Sequence, residues 1–255
     1  MAETLTPRRS ESESARFGRP TARVSVPDDM PVEVAAPLLH DAISGTTADI
    51  VIVRYPSRSL GSLADAAADP AWVCFPGGAL VYWEAPGTPA SDPSGALELD
   101  EGLRRGERAG EIDSALRDSF DGYINHYAAD PLIDPQAAVE GYAEWARALA
   151  ASPENRVFVV EDDGRIVGVA VISADDSGWD INLAGIISSA QRRGHYRRLI
   201  SGVVEAARRA DVRLVISTQS HNIAVQRAWA AEGFRPLRSV DTAHLVRRVA
   251  LDAPR

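Results

Sequence analysis

The residues of this sequence best suited to chemistry lie in one run, Gln191-Arg-Arg-Gly-His-Tyr-Arg-Arg198. An apolar stretch precedes it. A helical pattern follows, with Tyr196, Leu199, Ile200, Val203, Val204 and Ala207 recurring at the 3.6-residue period. A strand that feeds a short turn and then a helix aims the helix's unpaired first-turn N–H groups at one point, where the helix dipole adds partial positive charge. Such a turn can cradle phosphate. Gly194 lets the backbone approach a ligand closely, and Arg192, Arg193, Arg197 and Arg198 supply cationic charge. The same residues also fit an ordinary strand–helix turn with solvated arginines.

A second chemical candidate is His126, in the polar and aromatic stretch Gly122-Tyr-Ile-Asn-His-Tyr-Ala-Ala-Asp-Pro131. Imidazole titrates near neutrality and can serve as a base; a lone histidine can equally be a plain hydrogen-bonded residue. Tyr123 and Tyr127 share a helical face with Ile112, Leu116 and Phe120, which suits core packing or the wall of a pocket. Asn222 opens a helix, where its side chain can cap the first turn or reach a ligand. The five histidines show no metal-ligand spacing, so no metal is expected.

The elements that would position these groups can be read in order. Residues 1–20 are rich in Ser, Glu and Arg and read as a disordered tail. Residues 21–109 form a smaller α/β unit with strands at 50–55 and 79–84 and a helix at 60–68. It ends in a Pro-, Gly- and Ser-rich linker over 87–106. From 110 to 250 the pattern predicts a second domain. A helix over 111–127 leads to another that Asp134-Pro135 starts. A hairpin follows around Asp163-Gly164, then a third strand over 179–188, the polar turn and its helix. A fourth strand over 213–218 precedes a helix from Asn222 to Gly233, and strands at 234–238 and 243–249 make a closing hairpin.

With these elements in place, Gln191-Arg-Arg-Gly-His-Tyr196 resembles the Gln/Arg-x-x-Gly-x-Gly/Ala loop of the GNAT acyltransferases, and so does the element order from Glu111 onward. Ile186-Ile-Ser ahead of the loop, Asn222, and Trp229-x-x-x-Gly233-Phe234 in place of Tyr-x-x-x-Gly-Phe are further points of similarity. The resemblance implies an α/β GNAT fold, a mixed central sheet with a splayed strand pair flanked by helices. Residues 21–109 would then be a degenerate GNAT-like half. It also implies acetyl-CoA as acyl donor. Gly185, Ile186 and Ile187 would meet the pantetheine arm, with Gln191, Arg192, Arg193, Gly194, His195 and Tyr196 around the pyrophosphate, and Asn222 and Trp229 beside the coenzyme.

For the chemical step, the resemblance places Asp180 where related histone acetyltransferases carry a catalytic glutamate, with Asn182 on the same strand face. It places Tyr123, His126, Tyr127 and Gln219 near the amine acceptor. The sequence departs from the family at Trp229, where the usual tyrosine acid is absent. Indole N–H donates a hydrogen bond but not a proton at neutral pH, so His126, Tyr127 and Tyr196 become candidate acids. Thr218-Gln219 and Arg247-Arg248 further resemble the TDP-fucosamine acetyltransferases, which implies a nucleotide-linked amino sugar as acceptor. Two alternatives stay open: another small-molecule or protein amine, and a non-catalytic acyl-CoA-binding protein.

Composition narrows the partners. A formal charge of −9 argues against nucleic acid, which needs clustered Lys and Arg. Cys74 is the single cysteine, so no intramolecular disulfide forms. The first residues carry no signal-like apolar core, and no apolar run approaches the ~20 residues that span a bilayer. A cytoplasmic protein binding acyl-CoA and a small amine, with no membrane partner, is the expectation; a homodimer is left open.

Overall fold

The computed structural model describes residues 4–106 and 108–252. The chain divides into two compact units: Met1–Leu80 with Ile124–Ala138 and Arg238–Arg255, and Val81–Tyr123 with Val139–Leu237. This differs from a single boundary near residue 109, because the chain returns to the first unit twice.

In the first unit, β1 (Arg8–Arg9) pairs antiparallel with β2 (Thr21–Ser25), and β2 pairs parallel with β3 (Ile50–Pro56). After β3 the chain continues through α3 (Ala64–Ala68) and β4 (Trp72–Glu84), and beside β3 lies β10 (Arg235–Arg247), antiparallel to it from Val240 to Val246. β3 is buried on both faces, as its unbroken apolar run requires. Val51 and Val53 pack with Leu39 and Ile43 of α2 (Val32–Ser44), whereas Ile50 and Ile52 pack with Tyr127 and Ile133.

Two expectations fail in this unit. Residues 8–17, read as part of a disordered tail, form β1 and α1 (Glu11–Phe17). The cause is not local: buried Glu13 accepts two hydrogen bonds from Arg23, at 2.7 and 2.6 Å, and a third from Tyr127. Burial pushes the Glu13 carboxyl up, but Arg23, Tyr127 and Ser10 outweigh it and hold it below the usual carboxylate range. The closing hairpin is instead the single strand β10, because residues 240–242 continue the ladder with β3 where a turn was read. Met1, Ala2 and Glu3 lie outside the described residues.

The second unit is built on β5 (Ala96–Leu99), β6 (Arg156–Asp162), β7 (Arg165–Asp175) and β8 (Gly178–Ile186), antiparallel in that order. β9 (Leu214–Gln219) joins parallel to β8. β5 and α4 (Glu101–Arg105) occupy the stretch read as a linker. The β6–β7 turn has Asp163 at φ 51° and Gly164 at φ 74°, the two left-handed residues that a tight hairpin needs.

Helices cover both faces of this sheet. On one, α7 (His195–Arg209) buries Leu199, Ile200, Val203, Val204 and Ala207 against Ala170, Ile172 and Ile181. On the other, Ile112 and Leu116 of α5 (Ala109–Ser119) and Ala146 of α6 (Pro135–Ala151) meet Val169, Val171 and Leu183. Each fully buried Leu, Ile or Val contributes roughly 1.5–3 kcal/mol. Asp134 caps α6 as read, its Oδ1 accepting from the N–H groups of Gln136 and Ala137 at 2.8 and 3.0 Å. The helix expected over 111–127 stops at Ser119, with Gly122 at φ 69° in the turn beyond.

Candidate active site

The site begins where a ladder fails. β8 and β9 pair at Trp179–Leu214, Asp180–Val215 and Ile181–Ile216, and the pairing goes no further although both strands do. On its other side β8 slips register against β7: Ile181 faces Ile172, Leu183 faces Val171, and Asn182 is the extra residue. A bulge bends its strand and reverses which face the following side chains meet. Trp179 and Ile181 accordingly pack on the α7 side, but Leu183 packs on the α5 side. Between the parted strands lies a cavity of about 580 Å³, walled by Asn182–Ile186 of β8, Ile216–Thr218 of β9, and residues of α7 and α8 (Ile223–Ala231).

At one end of the cavity stand Gln191, Arg192 and Gly194, leading into α7. Arg192 (φ 62°) and Gly194 (φ 84°) are both left-handed, which turns the chain sharply before the helix. A Cβ at Gly194 would meet nothing within 4 Å, so glycine serves the backbone angle and leaves open space. The turn is tied down on both sides. Asp118 Oδ1 accepts from the N–H and hydroxyl of Ser188 at 2.6 and 2.7 Å, and these bonds hold its carboxyl below the ordinary range. Gln191 Nε2 donates to the Ile186 carbonyl at 3.2 Å.

The remaining walls are aromatic. Phe120, Tyr123 and Tyr142 cluster with ring centroids 5.4 to 6.0 Å apart. Across the site the Trp229 indole N–H donates to the Tyr196 hydroxyl at 2.8 Å. Trp229 is buried against Trp83 and Phe234. Burial raises the phenols of Tyr123, Tyr142 and Tyr196, and at Tyr196 the indole N–H opposes that rise.

Residues 116–234 match the family model described as Acetyltransferase (GNAT) family. This segment is similar to the GNAT acetyltransferases. That family uses acetyl-CoA as its acyl donor. Solved structures share the fold over most of the chain. The GCN5-related N-acetyltransferase of Sphaerobacter thermophilus is 13% identical with a TM-score of 0.54, over 90% of this chain and 73% of that one. That of Kribbella flavida is 13% identical with a TM-score of 0.52, over 90% and 81%. A tandem GNAT protein from the clavulanic acid biosynthesis pathway is 12% identical with a TM-score of 0.54, over 93% and 77%. Among curated proteins none matches, and the finer likeness to TDP-fucosamine acetyltransferases finds no support in these comparisons.

The cavity between β8 and β9 gathers much of what the sequence singled out. Gly185, Ile186, Gln191, Arg192, Gly194, Tyr196, Asn222 and Trp229 line it, together with Tyr123 and Asn182. Asn222 does not cap α8; its Nδ2 donates to Thr218 Oγ1 at 3.1 Å. Phe120 and Tyr142 were not anticipated as site residues, since their helices show only an apolar periodicity that equally fits core.

Other candidates are placed elsewhere. Asp180 sits in the still-paired part of the β8–β9 ladder, and the bulge gives Asn182 the place on the cavity wall. Ile187 is packed between the two cores, its N–H donating to the Val167 carbonyl at 2.9 Å. Arg193 pairs with Asp162 at 3.6 Å. His195 turns its ring inward, within 3.2 Å of an Arg198 nitrogen, which leaves its backbone at the turn. The Gln219 side chain is not on the cavity wall; Tyr123 contacts its backbone.

His126 and Tyr127 belong to the first unit, on a short 3₁₀ turn, His126–Ala129. Tyr127 serves the Glu13–Arg23 cluster and its phenol is pushed up to about 12, chiefly by burial. His126 is the end of a buried chain: Asp130 Oδ2 lies 2.8 Å from His244 Nδ1, and His244 Nε2 lies 2.8 Å from His126 Nδ1. With Asp130 as acceptor, His244 carries its proton on Nδ1, and His126 donates from Nδ1 and keeps a lone pair on Nε2. Burial and the nearby His244, Arg54 and Arg23 hold His126 well below the ordinary histidine range. No helix among the described residues is long and apolar enough to cross a membrane.

Proposed function

We propose that the chain transfers the acetyl group of acetyl-CoA to the amine of a small molecule within the cavity between β8 and β9. The observation that carries this reading is the end of the β8–β9 ladder at Ile181–Ile216, followed at once by a cavity that leads to the left-handed turn before α7. Strand edges that no longer pair with each other offer N–H and C=O groups to the amides of a pantetheine arm. The first-turn N–H groups of α7, with Arg192, suit a pyrophosphate.

For the acceptor, the support is the aromatic wall. Asp and Glu are absent from the residues lining the cavity. An amine entering such surroundings is favoured in its neutral, nucleophilic form, because burial disfavours the ammonium. Within this reading a nucleotide-linked amino sugar is one acceptor class to test.

The test is CoA release by the full chain with acetyl-CoA and a panel of amines: alkyl and aromatic amines, a polyamine, a lysine peptide and a nucleotide-linked amino sugar. Release that saturates with one small amine supports the reading. Release with the lysine peptide alone would move the acceptor to proteins. Tight acetyl-CoA binding without release across the panel would leave an acyl-CoA-binding protein.

A further inference from the structure

The cavity wall contains five titratable side chains: Tyr123, Tyr142, Tyr196, Arg192 and Arg197. When an amine nitrogen attacks the thioester carbonyl, a C–N bond forms and the C–S bond breaks. Sulfur leaves with the electron pair and needs a proton. Arginine does not give one up in proteins, so the donor must be a phenol or water.

We propose that Tyr196 gives its hydroxyl proton to the departing sulfur of CoA and that Trp229 is the positioning residue for that hydroxyl. The inference rests on acetyl transfer taking place in this cavity. The Trp229 indole nitrogen has a hydrogen to donate and no lone pair with which to accept. At 2.8 Å it therefore fixes the Tyr196 oxygen as acceptor and leaves the phenolic hydrogen for another partner. Trp229, buried and braced by Trp83 and Phe234, holds that oxygen in place.

The other two phenols are less suited. Tyr123 packs in the ring cluster with Phe120 and Tyr142, on the aromatic wall that the reading assigns to the acceptor amine. Tyr142 stacks among Phe120, Tyr123 and Trp145, and its surroundings supply only effects that raise it. At Tyr196 the N–H that orients the hydroxyl also stabilises the phenolate left after proton transfer, offsetting part of the burial. The same burial makes a thiolate more basic, so donor and acceptor shift together. The proton balance closes through solvent: the new C–N nitrogen loses its extra proton to water, and the phenolate regains one from water after release.

The experiment measures CoA release from acetyl-CoA by the full chain, with the best amine of the panel and with water as acceptor. The variants are Tyr196→Phe, Trp229→Phe and the double variant, and acetyl-CoA affinity is measured by calorimetry for each. Tyr196→Phe should lower kcat by ~10²–10⁴-fold, the usual worth of a positioned acid, with affinity changed less than about threefold. Trp229→Phe keeps Tyr196 and removes its N–H partner, so it should lower kcat by ~3–30-fold, the usual worth of one hydrogen bond to an oxygen that gains charge. In the double variant the Trp229 effect should vanish, because two residues acting through one group are not additive. A purely structural role for Trp229 would persist in the Tyr196→Phe background and overturn the positioning claim. Full kcat in Tyr196→Phe overturns the proposed acid while leaving the acetyl-transfer reading intact; no release by the unaltered chain under either condition overturns both.

Discussion

Ile181 and Ile216 face each other on the last shared rung of β8 and β9, and both side chains are buried in the same core cluster. One residue later β8 bulges and the strands part. The rung therefore closes the core just below the cavity. Ile181→Ala removes packing that the rigid sheet and α7 cannot fully refill. It should lower stability by about 2–5 kcal/mol, the usual range for a buried Ile truncated to Ala. Urea denaturation reads this; a loss below about 1 kcal/mol would mean that the rung does not hold the strands together.

The Asp130–His244–His126 chain gives the first unit a pH dependence of known sign. His126 has its folded pKa well below the ordinary value of 6.5, whereas in the unfolded chain it titrates near that value. Between the two, the unfolded state binds a proton that the folded state does not. Stability from this group is present above pH ~6.5 and is lost as pH falls toward the folded pKa, by up to ~1.4 kcal/mol per pH unit. Denaturation midpoints compared from pH 7.5 down to pH 5 should fall more steeply for the native chain than for His126→Gln. Equal slopes would show that the imidazole is not held neutral.

A fragment of residues 110–255 should not fold as the native chain does. It keeps Leu245, Tyr127 and Ile133 but removes β2, β3 and α2, on which these residues pack. It also strips β10 of its partner strand β3. An exposed apolar edge strand of this kind invites aggregation. Size-exclusion chromatography should show aggregate, where a monodisperse fragment with native-like near-ultraviolet dichroism would count against the division of the chain described above.

What the sequence makes legible is the part whose physics is local. The hairpin at Asp163-Gly164, the apolar stripe of α7, the Asp134 cap and the glycine of the turn depend on neighbours along the chain. The misses have distant causes. α1 exists because Glu13 finds Arg23 and Tyr127, and β5 because β6 offers an edge. α2 carries Pro37 in its interior, which a local reading takes as a break. The bulge at Asn182 has no local signature in the sequence, and it is Asn182 rather than Asp180 that lines the cavity. His126 was read as a candidate base near the acceptor, but Asp130 and His244, which set its protonation, become its partners only in the fold.

The most direct measurement is a calorimetric titration of acetyl-CoA into the native chain and into Gly194→Glu. Gly194 stands at φ 84° with open space above it, at the mouth of the cavity and one residue before α7. A glutamate there brings a left-handed strain, a side chain and a negative charge to the point where a pyrophosphate would meet the helix N-terminus. Affinity should fall at least tenfold, about 1.4 kcal/mol, in a variant whose circular dichroism matches the native chain. Unchanged affinity in that folded variant would contradict acetyl-CoA binding at this turn.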